Sequence, residues 1–139
     1  MPEKPRIVLD TNLWVSYFLG AQMKERLDRI LYNERFSILL SSDLFEEISG
    51  VLARPKFARY FSSEDAQLLL DALSLRSELI EVTARISLSR DQKDDFALAL
   101  CQDGKADFLI TGDSDLLVLH PFGYTQIVRL AEFAVLYGG

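Results

Sequence analysis

Cysteine and histidine are almost missing from this chain: Cys101 and His120 are the only ones among 139 residues. An internal disulfide is therefore excluded, and nothing points to an oxidising compartment. Ser42 and Ser114 have no histidine near them in sequence, which argues against a hydrolase triad. Long apolar runs are missing too. None approaches the ~20 residues of a membrane span, and no signal-type stretch follows Met1-Pro2-Glu3-Lys4-Pro5, so the expected location is cytoplasmic, away from membranes. An excess of basic residues is also lacking, with 15 Lys and Arg against 21 Asp and Glu and a net charge of -6. That balance disfavours holding nucleic acid by bulk electrostatics, which draws on many cationic contacts to phosphates. Cations on clustered carboxylates would reverse the field locally. Repeats, linkers and low-complexity stretches are absent, and the length suits one domain over residues 1–139.

What is present is organised around Arg6-Ile7-Val8-Leu9-Asp10-Thr11-Asn12. A continuous apolar triplet, rich in β-branched residues, that stops at an acid reads as a strand buried on both faces of a parallel sheet, with Asp10 at its carboxyl end. A buried helix is expected over Leu13–Leu19, with Asn12 as its cap and Gly20 as its stop, then an amphipathic helix over Met23–Tyr32. Phe36–Leu40 reads as a second strand, and Ser41-Ser42-Asp43 as the cap of a helix to Leu52 that Pro55 terminates. Ser62 and Asp65 form a capping-box pattern for a helix ending near Ser77. Leu79–Val82 reads as a third strand, with a polar connection to Arg90. A helix begins at Asp94, and Gly104 is its expected C′ residue. Phe108–Thr111 and Gln126–Val128 complete the strands, and Ala131–Tyr137 is a last helix. Alternating strands and helices predict an α/β chain with a central parallel sheet of four to five short strands, covered on both faces.

In such a sheet the carboxyl ends of the strands form the ligand-binding edge. Asp10, Asp113 and Asp115 follow strands directly, while Glu47 and the pair Asp94 and Asp95 belong to the starts of helices leaving the same edge. Singly, each acid has an ordinary reading: helix caps and first turns favour aspartate, and Glu47 alone reads as solvated surface. Together they repel one another unless cations neutralise them, and hard oxygen ligands suit Mg²⁺ or Mn²⁺. Cys101 reads as core and His120 as a turn residue. Arg54, Lys56 and Arg59 form a small basic cluster interleaved with Phe57, Tyr60 and Phe61, either a solvated face or a set of phosphate contacts.

Four segments carry a resemblance. Val8-Leu9-Asp10-Thr11-Asn12, Glu47-Ile48 with Val51-Leu52-Ala53-Arg54-Pro55-Lys56-Phe57, Arg90-Asp91-Gln92-Lys93-Asp94-Asp95, and Ala106 to Asp113 together resemble the PIN-domain family, nearest the group described as toxin components of prokaryotic toxin–antitoxin pairs. The resemblance implies a three-layer α/β/α fold and a Mg²⁺- or Mn²⁺-dependent endoribonuclease acting on single-stranded or loop RNA, leaving a 5′-phosphate and a 3′-hydroxyl. Asp10, Glu47, Asp94 and Asp113 match the family's acidic quartet, and Thr11 and Asn12 its polar neighbours of the first acid. Asp115 is a further metal candidate. Where the family has Asp-Pro before its third acid, this chain has Asp91-Gln92. Asp94 fits the family's helix pattern and Asp95 the spacing of shorter members; Asp94 is taken as the third acid. Arg54, Lys56 and Arg59 are the expected RNA contacts. A homodimer and an antitoxin partner are implied by resemblance. The competing expectations are an inert PIN-like module working through protein contacts, and an acidic-pocket phosphoryl-transfer domain.

Overall fold

The computed structural model describes residues 1–88 and 92–138, without the side chains of residues 92 and 93. Arg90 and Asp91, the end of the expected connection and the start of the third motif, lie outside the described residues. Five strands form one parallel sheet: β1 (Arg6–Leu9), β2 (Ser37–Leu40), β3 (Ser77–Leu79), β4 (Phe108–Ile110) and β5 (Gln126–Val128). Their order is β3-β2-β1-β4-β5. The first strand therefore lies in the middle, with Ile7 opposite both Ile38 of β2 and Phe108 of β4. This placement explains its composition. Ile7, Val8 and Leu9 are all buried, as a strand covered on both faces requires.

Helices flank the sheet: α1 (Thr11–Leu19), α2 (Ala21–Leu31), α3 (Ser42–Leu52), α4 (Ser63–Arg76), α5 (Gln92–Gly104), the short α6 (Ser114–Leu117) and α7 (Leu130–Tyr137). Among the described residues, no helix is long and apolar enough to cross a membrane. Ser41 caps α3, and Ser62 and Asp65 close the expected capping box on α4. Cys101 is core, and burial pushes its thiol pKa up. His120 accepts the Ile127 N–H at Nδ1, which fits a turn-stabilising role.

Four local expectations need correction. Asp10, not Asn12, caps α1: its carboxylate accepts the Thr11 N–H, and Asn12 is already helical. The helix α3 stops at Leu52 without Pro55, which instead opens a 3₁₀ turn over Pro55–Phe57. The third strand lies two residues earlier than its apolar pattern suggested, because α4 runs directly into it. Asp103 of α5 then accepts the N–H groups of Thr83 (2.6 Å) and Ala84 (2.9 Å), holding the chain to that helix and off the sheet edge. Ile80 and Val82, which suggested a longer strand, pack on the core from this connection. Finally, Gly104 is the last residue of α5, and Lys105 takes the left-handed conformation. Glycine is needed at 104 for closeness, since a Cβ there would stand 2.7 Å from Leu39 Cδ1.

Candidate functional site

The carboxyl ends of β1 and β4 are joined by side chains as well as by the ladder. Asp10 is buried, 6% exposed, and its N–H donates to the Ile110 carbonyl at 3.0 Å. Its carboxylate accepts the Thr11 N–H at Oδ1 and the Thr111 hydroxyl at Oδ2, both at 2.8 Å. Thr111, wholly buried, accepts the Asp113 N–H at 3.0 Å through the same oxygen. Asp113 caps α6, its Oδ1 accepting the Asp115 N–H at 2.9 Å. One threonine thus links the two acids that follow the central strands. Its signal was its place at the end of β4, two residues before Asp113, and the acids drew attention away from it.

Burial raises the Asp10 carboxyl above its ordinary value; the bonds from Thr111 and Thr11 oppose the shift, and the charges of Asp113 and Glu47 add to it. Asp10, Asp113 and Glu47 are therefore within electrostatic reach of one another. Glu47 is half-buried on α3, one position before the buried Ile48. Asp94 and Asp95 are both buried in the first turn of α5, a helix that packs on β1 and starts at this edge because its far end leads into β4. Asp95 accepts the Leu88 N–H at 3.1 Å, tying the incoming connection to the helix. Asn12 is exposed, whereas Thr11 is buried beside Asp10.

The predicted acids thus share one edge of the sheet. Among the described residues, however, no three His, Cys, Asp or Glu side chains form a ready metal cage. The donor set is all carboxylate, and an acid raised by burial and further by two neighbouring acids is in the electrostatic condition that a hard divalent cation relieves. The residues fit such an ion in chemistry. Arg54, Lys56 and Arg59 are exposed on and around the 3₁₀ turn, away from the strand ends, with Lys56 over Phe57 and Arg59 over Tyr60.

A family model described as PIN domain matches residues 6–115. No curated protein matches. Among solved structures, VapBC2 from Rickettsia felis bound to a DNA fragment from their promoter is similar at 18% identity, over 88% of this chain and 96% of that one, with a TM-score of 0.56. PAE2754 from Pyrobaculum aerophilum is similar at 14% identity, over 99% and 92%, with a TM-score of 0.63. These likenesses show the same α/β fold.

Proposed function

From the premise that this chain belongs to the PIN domain family, whose members are typically nucleases, we propose a metal-dependent endoribonuclease that hydrolyses phosphodiester bonds of single-stranded or loop RNA to 5′-phosphate and 3′-hydroxyl ends. The observation that carries this reading is Asp10: a buried carboxylate at the strand end, oriented by two donors, raised chiefly by its burial and further by the charges of Asp113 and Glu47. Asp10, Glu47, Asp94 and Asp113 would hold Mg²⁺ or Mn²⁺, with Asp115 beside them. A bound divalent ion supplies Lewis acidity toward phosphate oxygens and lowers the pKa of coordinated water.

The chain's own residues do the rest. Thr11 and Thr111 fix the Asp10 carboxylate in one orientation, so little reorganisation is left for the moment of reaction. Thr111 also fixes the backbone that presents Asp113. Asp94 is taken as the third acid because it fits the family's helix pattern, while Asp95 accepts the Leu88 N–H. Neighbouring helical residues point about 100° apart, so the two acids serve different directions. Arg54, Lys56 and Arg59 would meet substrate phosphates.

The motif resemblance further supports a single domain over residues 1–139, a toxin of a toxin–antitoxin pair, a homodimer and a cytoplasmic setting. An inert module is the second reading, favoured by the capping bonds of Asp10 and Asp113, which give each acid a structural role. The test is cleavage of a labelled mixed-sequence single-stranded RNA with Mn²⁺, with Asp10→Asn purified identically and EDTA as control. Cleavage by wild type alone, lost with EDTA, is expected. Equal cleavage by the variant would overturn the assignment, and a wild type that neither cleaves nor binds the ion would leave the inert module.

A further inference from the structure

Two tyrosines on the protein's surface each carry an arginine over the ring. Tyr60 carries the Arg59 guanidinium at 4.9 Å from its ring centroid, and Tyr32 carries that of Arg76 at the same distance. Each ring is 53% exposed. Both line one open cleft of about 380 Å³, whose floor includes Tyr17, Phe18 and Phe61 and whose rim includes Lys24. Five of its nine lining residues are aromatic. Phe18 and Phe61 are stacked at 4.3 Å, and Phe57 continues the series on Phe61 at 5.8 Å.

We propose that this cleft is a subsite for an unpaired base of the RNA strand, stacked against Tyr32 and Tyr60; the inference rests on the ribonuclease reading for its ligand class. Aromatic and guanidinium planes are the surfaces on which splayed-out bases stack, independently of base identity. Here both kinds of plane occur as pairs. Arg76 is fixed in place, its Nε donating 2.9 Å to the Leu31 carbonyl, so the Tyr32 wall is preorganised. The charge around the cleft also suits a strand. Arg59 and Arg76 flank it, and Arg54 and Lys56 stand at the adjoining Pro55–Phe57 turn. Two acids temper this: Lys24 is paired with Asp28 at 2.9 Å, and Asp65 of the lining is engaged in the α4 capping box.

The position connects the cleft to the acidic edge. Tyr17 and Phe18 lie seven and eight residues beyond Asp10 on α1, roughly 10–12 Å along the helix axis. A protein partner is the competing occupant of an aromatic and arginine surface, and base dependence is what separates the two.

The test is fluorescence anisotropy of a labelled mixed-sequence single-stranded RNA in EDTA, which reads binding without metal-dependent cleavage. Tyr32→Leu/Tyr60→Leu, which keeps apolar bulk, is expected to weaken binding about ten-fold or more, and Tyr32→Phe/Tyr60→Phe to bind as wild type does. An abasic strand of equal length is expected to bind wild type and the leucine pair alike. Melting curves confirm that each variant is folded. Unchanged RNA affinity in the leucine pair, no RNA binding by wild type, or equal wild-type affinity for the abasic strand would each overturn the proposal; the first leaves the cleft to a protein partner. Tyrosine-dependent binding without any cleavage in Mn²⁺ would remove the nuclease reading and keep this one.

Discussion

The two edges of the sheet differ in what surrounds their acids. At the amino-terminal edge, Asp107 accepts the Arg6 N–H at 2.8 Å, while the Arg6 side chain donates to the Gly104 carbonyl and pairs with Glu78 at 2.8 Å. Charge there is answered by charge within the protein. At the carboxyl edge, Asp10 is held by a threonine hydroxyl and a backbone N–H, and its charged neighbours in the titration are acids, Asp113 and Glu47. None of the three ion pairs among the described residues involves Asp10 or Asp113. Neutral donors orient a carboxylate without neutralising it. The Arg6–Glu78 pair ties strands at the amino-terminal edge, and at the carboxyl edge the bonds of Asp10 fix its carboxylate, as the proposed metal site would use it.

Substitutions on the two edges should therefore differ in kind. The largest effect is expected for Asp10→Asn, with RNA cleavage reduced at least ~10²-fold in single-turnover assays, since transition-state charge stabilisation of this type is worth several kcal/mol. Thr111→Val should follow, lowering Mn²⁺ affinity by calorimetry about 10- to 100-fold, the usual range for partners that orient metal-bound acids. At the other edge, Gly104→Ala should lower stability in urea melts by about 1 kcal/mol net. Overpacking against Leu39 costs about 1–3 kcal/mol, and relief of glycine's poor helix propensity returns part of it.

A smaller effect separates the edges by pH. Because the folded Asp10 carboxyl lies above the ordinary 3.8, the folded state binds its proton more tightly than the unfolded one. Stability from this group is thus full below 3.8 and falls as pH rises through the folded value. Melting temperatures in EDTA should show Asp10→Asn gaining on wild type across that window, and Mn²⁺ should restore wild type more than the variant. The smallest effect is expected for Glu78→Gln, less than about 0.5 kcal/mol, because its pair with Arg6 is half exposed. A larger loss there than for Gly104→Ala would upset the contrast.

Much of this was legible in the sequence because the central strand is. A short apolar run rich in β-branched residues and ending in an acid placed β1, and the same logic placed β4 and Asp113. Caps with side-chain chemistry, Ser41 and Ser62 with Asp65, were legible for the same local reason. The bounds of β3 were not, because α4 runs straight into its start and Asp103, twenty residues beyond Thr83, holds Thr83 and Ala84 after its end. Thr111 was passed over as a site residue although its segment was recognised, since its role arises only when β1 and β4 adjoin. For α1 the cap was placed at Asn12, with capping as the ordinary alternative for Asp10, and the protein uses Asp10 for it. The aromatic cleft drew on α1, α2 and α4 at once and had no single motif to announce it.

The hydrogen bond between Thr111 and Asp10 joins residues 101 positions apart. During synthesis the amino-terminal half emerges first and can pair β1 with β2, but the edge that carries Asp10 has no β4 partner until Thr111 has left the ribosome. The nascent chain thus carries its first acid long before it carries the arrangement that orients it. For a protein whose proposed substrate is the same polymer that directs its manufacture, the order of the strands is itself a delay, since the proposed site waits for Thr111.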